Sequence, residues 1–252
     1  MTHVYLSENH NGRFLVLQQD QWISYGILHD DLRGVQLTKF DQLLAIGKSR
    51  KPYLRHVIDG GANHGSWTIP LAMAHGDLDF HAFEVQRFIY HACCGSVSLN
   101  GLTNVFMHWA GLAESDGSMS IPVPDYSVRG NFGAFEARTP WANSDHAASN
   151  INHSGRTDTV KLTAIDDLRL CPLMIKLDVE GMEWAALQGA ANTIANWSPM
   201  VWCESHKSNP GMVIPFFVDQ GYSVFTVDEH WMFMPRWAAA DQHMLDVVQG
   251  LT

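Results

Sequence analysis

The fold of this chain is decided by the stretch Val57-Ile58-Asp59-Gly60-Gly61-Ala62-Asn63-His64-Gly65-Ser66-Trp67. Two β-branched residues lead into an acid and a glycine-rich turn. Pro70 then suits the first turn of a helix, because its missing N–H would have no partner there. Glycines let the backbone approach a ligand closely, and a helix start offers unpaired N–H groups. The stretch therefore predicts a strand, a tight loop and a helix that together bind a polar ligand at the carboxyl end of the strand.

The glycine spacing of this loop separates two classes of ligand. The dinucleotide pattern G-x-G-x-x-G fails, because Ala62 or Asn63 stands where its second glycine is required. The pattern present is Asp59-x-Gly61-x-x-x-Gly65, an acid joined to a looser glycine loop. It suits a cofactor that has no pyrophosphate but has a cationic amino acid end. In this it resembles the first motif of class I S-adenosylmethionine (SAM) methyltransferases.

The composition predicts one globular α/β domain. The 252 residues are 46% hydrophobic and 17% charged, which is typical of a folded chain with a sizeable core. A net charge of −10 argues against a nucleic-acid partner, and the basic run Lys48-Ser49-Arg50-Lys51 is interpreted as a solvated linker. Four cysteines without C-x-x-C spacing, no signal peptide and no bilayer-length apolar stretch predict a cytoplasmic protein with no membrane partner. Assembly into a homo-oligomer stays open.

Apolar periodicity predicts a parallel sheet preceded by a cover segment. Residues 1–53 are predicted to be an N-terminal cover, with a hairpin over residues 3–17 and a helix over residues 38–46. Strands and helices alternate over residues 54–236, which is typical of a ligand-binding α/β domain. One of these helices is predicted to begin at Val179, with acids in its first turn, where the helix dipole favours them. Residues 237–252 are predicted to form a C-terminal tail helix. The three parts are expected to make a single domain.

An insertion at about residues 124–157 interrupts the alternation. It is rich in Ser, Asn, Gly and His, and its flanks at residues 118–123 and 159–163 alternate like the strands of a β-ribbon. Such a segment is either a binding loop or a solvated loop. The side chains that are candidates for lining a substrate site are Tyr126, Arg129, Phe132, Trp141, His146 and His153.

Three acids stand where predicted parallel strands end, so we expect them to share one edge of the sheet. Asp59 ends the first core strand, Glu84 ends the strand over residues 79–84, and Asp178 ends the strand over residues 173–178. An acid at the end of the second strand holds vicinal ribose hydroxyls, in nicotinamide enzymes as well as in other nucleotide-binding folds. Glu84 therefore predicts a ribose without naming the cofactor.

The run Ile175-Lys176-Leu177-Asp178-Val179-Glu180-Gly181-Met182-Glu183, followed by Leu187-Gln188-Gly189-Ala190, resembles the FkbM family of SAM-dependent methyltransferases. The similarity runs from about Val57 to Phe225. Val85 departs from it, standing where the family commonly has proline, and His64 stands at a loop position that is usually apolar. Supporting segments in the family's order are Phe83-Glu84, Asn100, Asn104-Val105, Gly111-Leu112, Gly117, residues 160–168, and Glu204-x-His206.

The resemblance implies a Rossmann-like class I methyltransferase fold: a seven-stranded, mostly parallel sheet with helices on both faces. It also implies transfer of the SAM methyl group to a hydroxyl of a small molecule or sugar. On that interpretation Asp59, Gly61 and Gly65 hold the amino acid part of SAM, Glu84 holds the ribose, and Asp178 lies beside the sulfonium. The full set of implied cofactor-binding residues is Asp59, Gly60, Gly61, Ala62, Asn63, Gly65, Glu84, Val85, Gly111, Leu112 and Asp178.

Methyl transfer to a hydroxyl needs alignment and the removal of a proton. His206 is the first candidate for the general base, and Asp178 and Lys176 complete the predicted catalytic set. Lys176 lies inside a strand, where a structural ion pair or a hydrogen bond to the loop is the alternative. Asp178, Glu180, Glu204 and His206 offer a second alternative, a divalent cation that acidifies the hydroxyl. No strict ligand spacing supports it, so we predict no metal site.

Two other functions compete with methyl transfer. A nicotinamide-dependent oxidoreductase would share the fold, but the missing second glycine and the Asp178 segment disfavour it. A non-catalytic binding module on the same fold would keep the apolar strands. It would need neither Glu84 nor His206.

Overall fold

The computed structural model describes residues 3–29, 34–135 and 153–251. The strands of these residues are β1 (Val4–Asn9), β2 (Gly12–Leu17), β3 (His56–Gly60), β4 (Asp79–Phe83), β5 (Val105–His108), β6 (Ala110–Leu112), β7 (Gly117–Pro124), β8 (His153–Thr163), β9 (Pro172–Leu177), β10 (Met200–Glu204), β11 (Ser223–Val227) and β12 (His230–Met234). The helices are α1 (Ile23–Leu28), α2 (Gly34–Arg50), α3 (Thr68–Ala74), α4 (Arg87–Leu99), α5 (Glu183–Gln188), α6 (Ala191–Trp197), α7 (Pro210–Val218), α8 (Arg236–Ala239) and α9 (Gln242–Gln249).

A seven-stranded sheet forms the centre of the molecule, in the order β11-β12-β10-β9-β3-β4-β5. Its neighbours pair in parallel except at β12, which runs antiparallel to β10 and β11. From β3 the chain continues outward through β4 and β5, and it then returns to β9 on the other side of β3. The strand order therefore reverses between β3 and β9, where open sheets of this class bind ligands. The predicted Rossmann-like α/β fold is confirmed.

Helices cover both faces of this sheet, as predicted. Successive residues of a strand point to opposite faces, so each strand contributes to two cores. Val57 of β3 belongs to a buried cluster with Phe40 of α2 and Met244 of α9. Its neighbour Ile58 belongs to the cluster on the opposite face, together with Leu187 of α5. None of the helices within residues 3–29, 34–135 and 153–251 is both long and apolar enough to cross a membrane.

The predicted N-terminal hairpin is confirmed, and it packs beside α4. β1 and β2 pair antiparallel from Val4 to Leu17. The Leu15 N–H donates to Ser96 Oγ at 2.8 Å, and Asn100 Nδ2 donates to the Arg13 carbonyl at 2.7 Å. The division of the chain at residues 53, 54 and 236 into cover, core and tail stays a prediction.

Two predictions about helices need correction. The basic run after Ile46 is not a linker, because α2 continues to Arg50 and places Lys48 and Arg50 in its last turn. Positive charge at a helix carboxyl end is favoured by the helix dipole. The tail is two helices, α8 and α9, instead of one. The Asp241 side chain accepts the N–H groups of His243 and Met244, and this cap starts a new helix.

The flanks of the insertion form a β-ribbon, as predicted. β7 pairs antiparallel with β8, and β6 joins β8 in parallel to make a three-stranded sheet. Tyr126 and Phe132 are buried in a cluster that includes Leu17 of the hairpin. Arg129 and His153 are exposed. Trp141 and His146 lie outside the described residues.

Three histidines lie side by side on the neighbouring strands β3, β4 and β5. His81 Nδ1 of β4 lies 3.2 Å from His108 Nε2 of β5, and the His56 ring lies 5.6 Å from that of His81. Burial, together with the neighbouring His108 and His56, lowers the pKa of His81 from 6.5 to about 4. The fold therefore holds His81 in its neutral form.

We expect this pKa to make the protein sensitive to acid. Below about pH 6.5 the unfolded chain binds a proton at His81, whereas the folded chain does not bind it until about pH 4. The free energy of unfolding should therefore fall as pH drops through that interval. Urea unfolding at a series of pH values measures the fall, and His81→Phe should lose less stability than the wild type. Parallel pH profiles for the two proteins would contradict the prediction.

Candidate active site

The carboxyl ends of β3, β4, β9 and β10 surround a cavity of about 670 Å³. This volume lies in the usual range for small-molecule sites. The cavity is at the point where the strand order reverses. The predicted site residues that line it are Gly61, Ala62, Asn63, Glu84, Val85, Gly111, Leu112, Lys176, Asp178 and His206. The predicted residues Asp59, Gly60 and Gly65 do not line it.

Asp59 lies beneath the glycine loop (residues 60–66) instead of facing the cavity. Its carboxylate is 1% exposed, accepts a hydrogen bond from Thr68 Oγ1 at 2.6 Å, and pairs with Lys176 Nζ at 3.0 Å. Burial lowers the pKa of Lys176, but the carboxylates of Asp59 and Asp178 outweigh this and raise it. Lys176 also points toward the Gly60 and Gly61 carbonyl oxygens, both at 3.4 Å. The pair therefore supports the loop from inside, which matches the structural alternative for Lys176.

The backbone of the glycine loop packs directly against the end of β9. Gly61 has φ +79°, and a Cβ at this position would collide with the Asp178 carbonyl oxygen. Gly65 has φ +81°, and a Cβ there would meet Ile69 Cδ1 at 2.8 Å. Only glycine combines such φ values with this close approach. The Asp-x-Gly-x-x-x-Gly spacing is thus explained by contacts within the fold.

The Glu84 carboxylate lies at the cavity wall between two backbone donors. Oε2 accepts from the Asn63 N–H at 2.9 Å and Oε1 accepts from the Gln86 N–H at 2.7 Å. Burial raises the pKa of Glu84 to about 7, although these N–H groups favour the ionised form. Each carboxylate oxygen has two acceptor sites, so each keeps one for a ligand. The geometry suits two adjacent donor hydroxyls.

A non-helical loop carries Asp178 and Glu180 into the cavity. The predicted helix start at Val179 is wrong, because α5 begins at Glu183. The buried Glu183 side chain accepts the N–H of Val179 at 2.9 Å and that of Gly181 at 3.1 Å. It thereby holds the backbone in a turn, in which Glu180 has φ +55° and Gly181 φ +93°. Left-handed backbone at a non-glycine residue is costly and is concentrated at functional sites.

Negative charge collects on one side of the cavity. Oxygens of Asp178, Glu180 and Glu204 lie within 4.8 Å of one another. Burial raises the pKa of Glu204 to about 9, and the carboxylates of Asp178 and Glu183 add to the rise. Lys207 Nζ pairs with Glu180, and Lys176 Nζ lies 3.8 Å from Asp178. These lysines supply part of the countercharge that a cation would bring, and the absence of a metal site stays a prediction.

His206 follows β10 and lies between two carboxylates. Its Nε2 is 3.2 Å from Glu204 Oε1, and its Nδ1 is 3.9 Å from Glu229 Oε2. The side chain is 29% exposed. Its position at the lining of the cavity makes it the candidate to accept a proton from a bound hydroxyl.

Sequence reasoning missed several side chains of the cavity lining. They are Trp22, Tyr25, Asn131, Trp202 and His230. The cover prediction concerned the N-terminal segment as a whole, and no motif identified these side chains. Buried polar atoms of the lining with no hydrogen-bond partner among the described residues include Trp67 Nε1 and Asn131 Oδ1. Such atoms favour a polar ligand.

The family model described as the methyltransferase FkbM domain matches residues 59–237. The chain belongs to the FkbM methyltransferase family. The matched range includes the glycine loop, Glu84, Asp178 and His206, so the predicted resemblance is confirmed. Helices α1 and α2 of this FkbM methyltransferase precede the matched range and lie outside the family domain.

Known structures show weaker similarity to this FkbM methyltransferase. A methyltransferase FkbM from Methylobacillus flagellatus KT is 16% identical with a TM-score of 0.49; the alignment covers 71% of this chain but only 43% of that one. Magnesium protoporphyrin IX methyltransferase (ChlM) from Synechocystis PCC 6803, with bound SAM, is 11% identical with a TM-score of 0.43, covering 85% of this chain and 83% of that one. No curated protein matches the chain.

Proposed function

We propose that this FkbM methyltransferase uses SAM to methylate a hydroxyl group of a small molecule or sugar. The observation that carries the proposal is that Glu84, Asp178 and His206 line one cavity at the carboxyl edge of the sheet. The cavity therefore contains a carboxylate that can accept hydrogen bonds from ribose hydroxyls, a second carboxylate for a cationic ligand, and a candidate base. Four cysteines that form no disulfide accord with a cytoplasmic enzyme.

The residues present fit SAM as the cofactor. Glu84 would accept hydrogen bonds from the ribose hydroxyls, and the loop backbone at residues 61–63 would hold the amino acid part. Gly111 and Leu112 of β6 border the remaining space beside Val85, where the nucleobase would lie. The excess of carboxylates over lysines near Asp178 favours a cationic ligand. When bound, SAM supplies an electrophilic methyl group.

The opposite half of the cavity, at Asp178, Glu204 and His206, is the acceptor half. Its side chains would bind and orient the acceptor. Asp178 and Glu204 offer acceptor oxygens that orient a hydroxyl, and orientation alone lowers the barrier for in-line attack. His206 would accept the hydroxyl proton while the acceptor oxygen takes the methyl group and the bond between that methyl group and the cofactor sulfur breaks. Glu229 Oε2, 3.9 Å from His206 Nδ1, would stabilise the protonated ring.

Cofactor binding provides the first test of the proposed function. Isothermal titration should show binding of SAM and S-adenosylhomocysteine and none of NAD. In Glu84→Gln, S-adenosylhomocysteine affinity should fall about 10- to 100-fold, since a hydrogen bond to a charged group contributes about 1.5–3 kcal/mol. Glu229→Gln, which changes an exposed carboxylate of the acceptor half, is the matched control. Unchanged affinity in Glu84→Gln would remove Glu84 from the ribose role.

Methyl transfer from labelled SAM to a library of hydroxyl compounds tests the reaction itself. Label should appear in ether methyl groups of sugars or other small hydroxyl compounds. Binding of SAM without transfer to any acceptor would favour the non-catalytic binding module. Binding of NAD in place of SAM would favour the oxidoreductase.

A further inference from the structure

An aromatic wall of the cavity is formed by Trp22, which directly precedes α1, and by Tyr25 of α1. Both side chains line the cavity, yet they are 63% and 54% exposed. Large aromatic side chains that are exposed at a cavity bury much apolar surface when a ligand covers them. The wall lies outside the family-matched range 59–237, so it is a feature of this chain's own N-terminal segment.

Asp20 and Ser24 fix the position of this wall. Asp20 Oδ1 accepts the Trp22 N–H at 3.2 Å, and Oδ2 accepts the Ser24 N–H at 2.8 Å. Ser24 Oγ in turn accepts the Leu17 N–H at 3.1 Å, which joins α1 to the end of β2. Both Asp20 and Ser24 are buried. The start of α1 is therefore held by a dry hydrogen-bonded network.

His64 of the glycine loop reaches into the same network. Its ring is fully buried, with Nδ1 3.1 Å from the Leu15 carbonyl and Nε2 3.1 Å from Ser24 Oγ. A carbonyl only accepts, so Nδ1 carries the hydrogen and Nε2 accepts from the Ser24 hydroxyl. Ser24 Oγ already accepts from Leu17, so its own hydrogen is available for this bond. Burial lowers the pKa of His64, in keeping with the neutral ring.

The glycine loop thus contacts two parts of the site through adjacent residues. Asn63 donates its N–H to Glu84, the candidate ribose acid, and its Oδ1 accepts the His64 N–H at 2.8 Å. His64 then contacts α1. A change at the ribose end of the loop therefore has a path of three hydrogen bonds to Ser24, which lies between Trp22 and Tyr25 in the chain.

Resting on the proposed function, we propose that His64 is a positioning residue that fixes the aromatic wall to the glycine loop. Cofactor binding at the glycine loop then stabilises the wall further, through His64 and Ser24. His64 stands where the family usually has an apolar residue, and here it joins the family domain to an N-terminal segment outside it.

Hydrogen exchange with S-adenosylhomocysteine as the probe tests this role. In the wild type, the probe should slow amide exchange in residues 20–28 by about tenfold, which corresponds to one or two ordinary hydrogen bonds. His64→Leu should still bind the probe, but exchange in residues 20–28 should no longer respond to it. Ser24→Ala, which lies outside the glycine loop, should lose the response as well, and Ser24→Thr should restore it. The matched control is His91→Leu, at an exposed histidine of α4.

The outcomes of this experiment distinguish a failure of the proposed function from a failure of the proposed role of His64. A wild type that does not bind the probe would overturn the proposed function. A wild type that binds the probe without any change in residues 20–28 would overturn only the role of His64. The same holds if His64→Leu and Ser24→Ala keep the full response. If His64→Leu fails to fold, Ser24→Ala alone gives the answer.

Discussion

Replacement of His206 by alanine should lower the turnover number of methyl transfer by about 10²- to 10⁴-fold, which is the usual contribution of a general base. The reason is local: the ring lies at the acceptor half of the cavity, with the exposed Glu229 carboxylate 3.9 Å from its Nδ1. Initial rates with labelled SAM and a hydroxyl acceptor measure the loss. The affinity for S-adenosylhomocysteine should stay near the wild-type value, because Glu84 and the glycine loop lie in the other half.

A second histidine provides the control for this experiment. His243 of α9 is highly exposed and does not line the cavity, so His243→Ala should keep full turnover. Full turnover in His206→Ala would end its candidacy as the base. Equal loss of turnover and of cofactor affinity would indicate damage to the whole site instead.

Replacement of Lys176 by methionine should lower the free energy of unfolding by about 3–5 kcal/mol, the usual result of breaking one partner of a buried ion pair. The substitution leaves the Asp59 carboxylate, 1% exposed, without its cation. Urea unfolding at neutral pH measures the loss. The double variant Asp59→Asn with Lys176→Met should regain part of the stability, because no charge is then left uncompensated.

A surface lysine provides the comparison. Lys48 pairs with Asp77 at 2.7 Å at the molecular surface, and Lys48→Met should cost less than about 1 kcal/mol. If Lys176→Met costs no more than Lys48→Met, the buried pair does not support the glycine loop as described.

The central sheet and its ligand-binding edge were predictable because they depend on local patterns. Each of the pairs Val57-Ile58 and Met174-Ile175 places one side chain on each face of the sheet. A strand buried on both faces needs consecutive apolar residues, and such a run is visible in the sequence. Parallel strands end at one edge, so Glu84 and Asp178 had to meet there. The family-specific run around Asp178 then indicated the chemistry.

Other parts of the site depend on contacts between distant segments, which no local pattern reveals. Asp59 was expected to face the cofactor, but its partner Lys176, distant in the sequence, draws it beneath the loop. The acidic first turn predicted at Val179 is a loop, because Glu183 folds back on its own backbone. The aromatic wall lies at the start of α1, and only the tertiary packing of the cover segment brings Trp22 to the cavity.

The close contact between Gly61 and the Asp178 backbone has a consequence for the order in which the protein acquires its activity during synthesis. The glycine loop emerges from the ribosome early, but half of its support belongs to β9, more than a hundred residues later in the chain. Long-range parallel pairing of this kind forms slowly and late. A nascent chain therefore gains little stabilisation from its cofactor until β9 has docked, and until then the first part of the sheet depends on the pairing of β3, β4 and β5 and on its hydrophobic contacts.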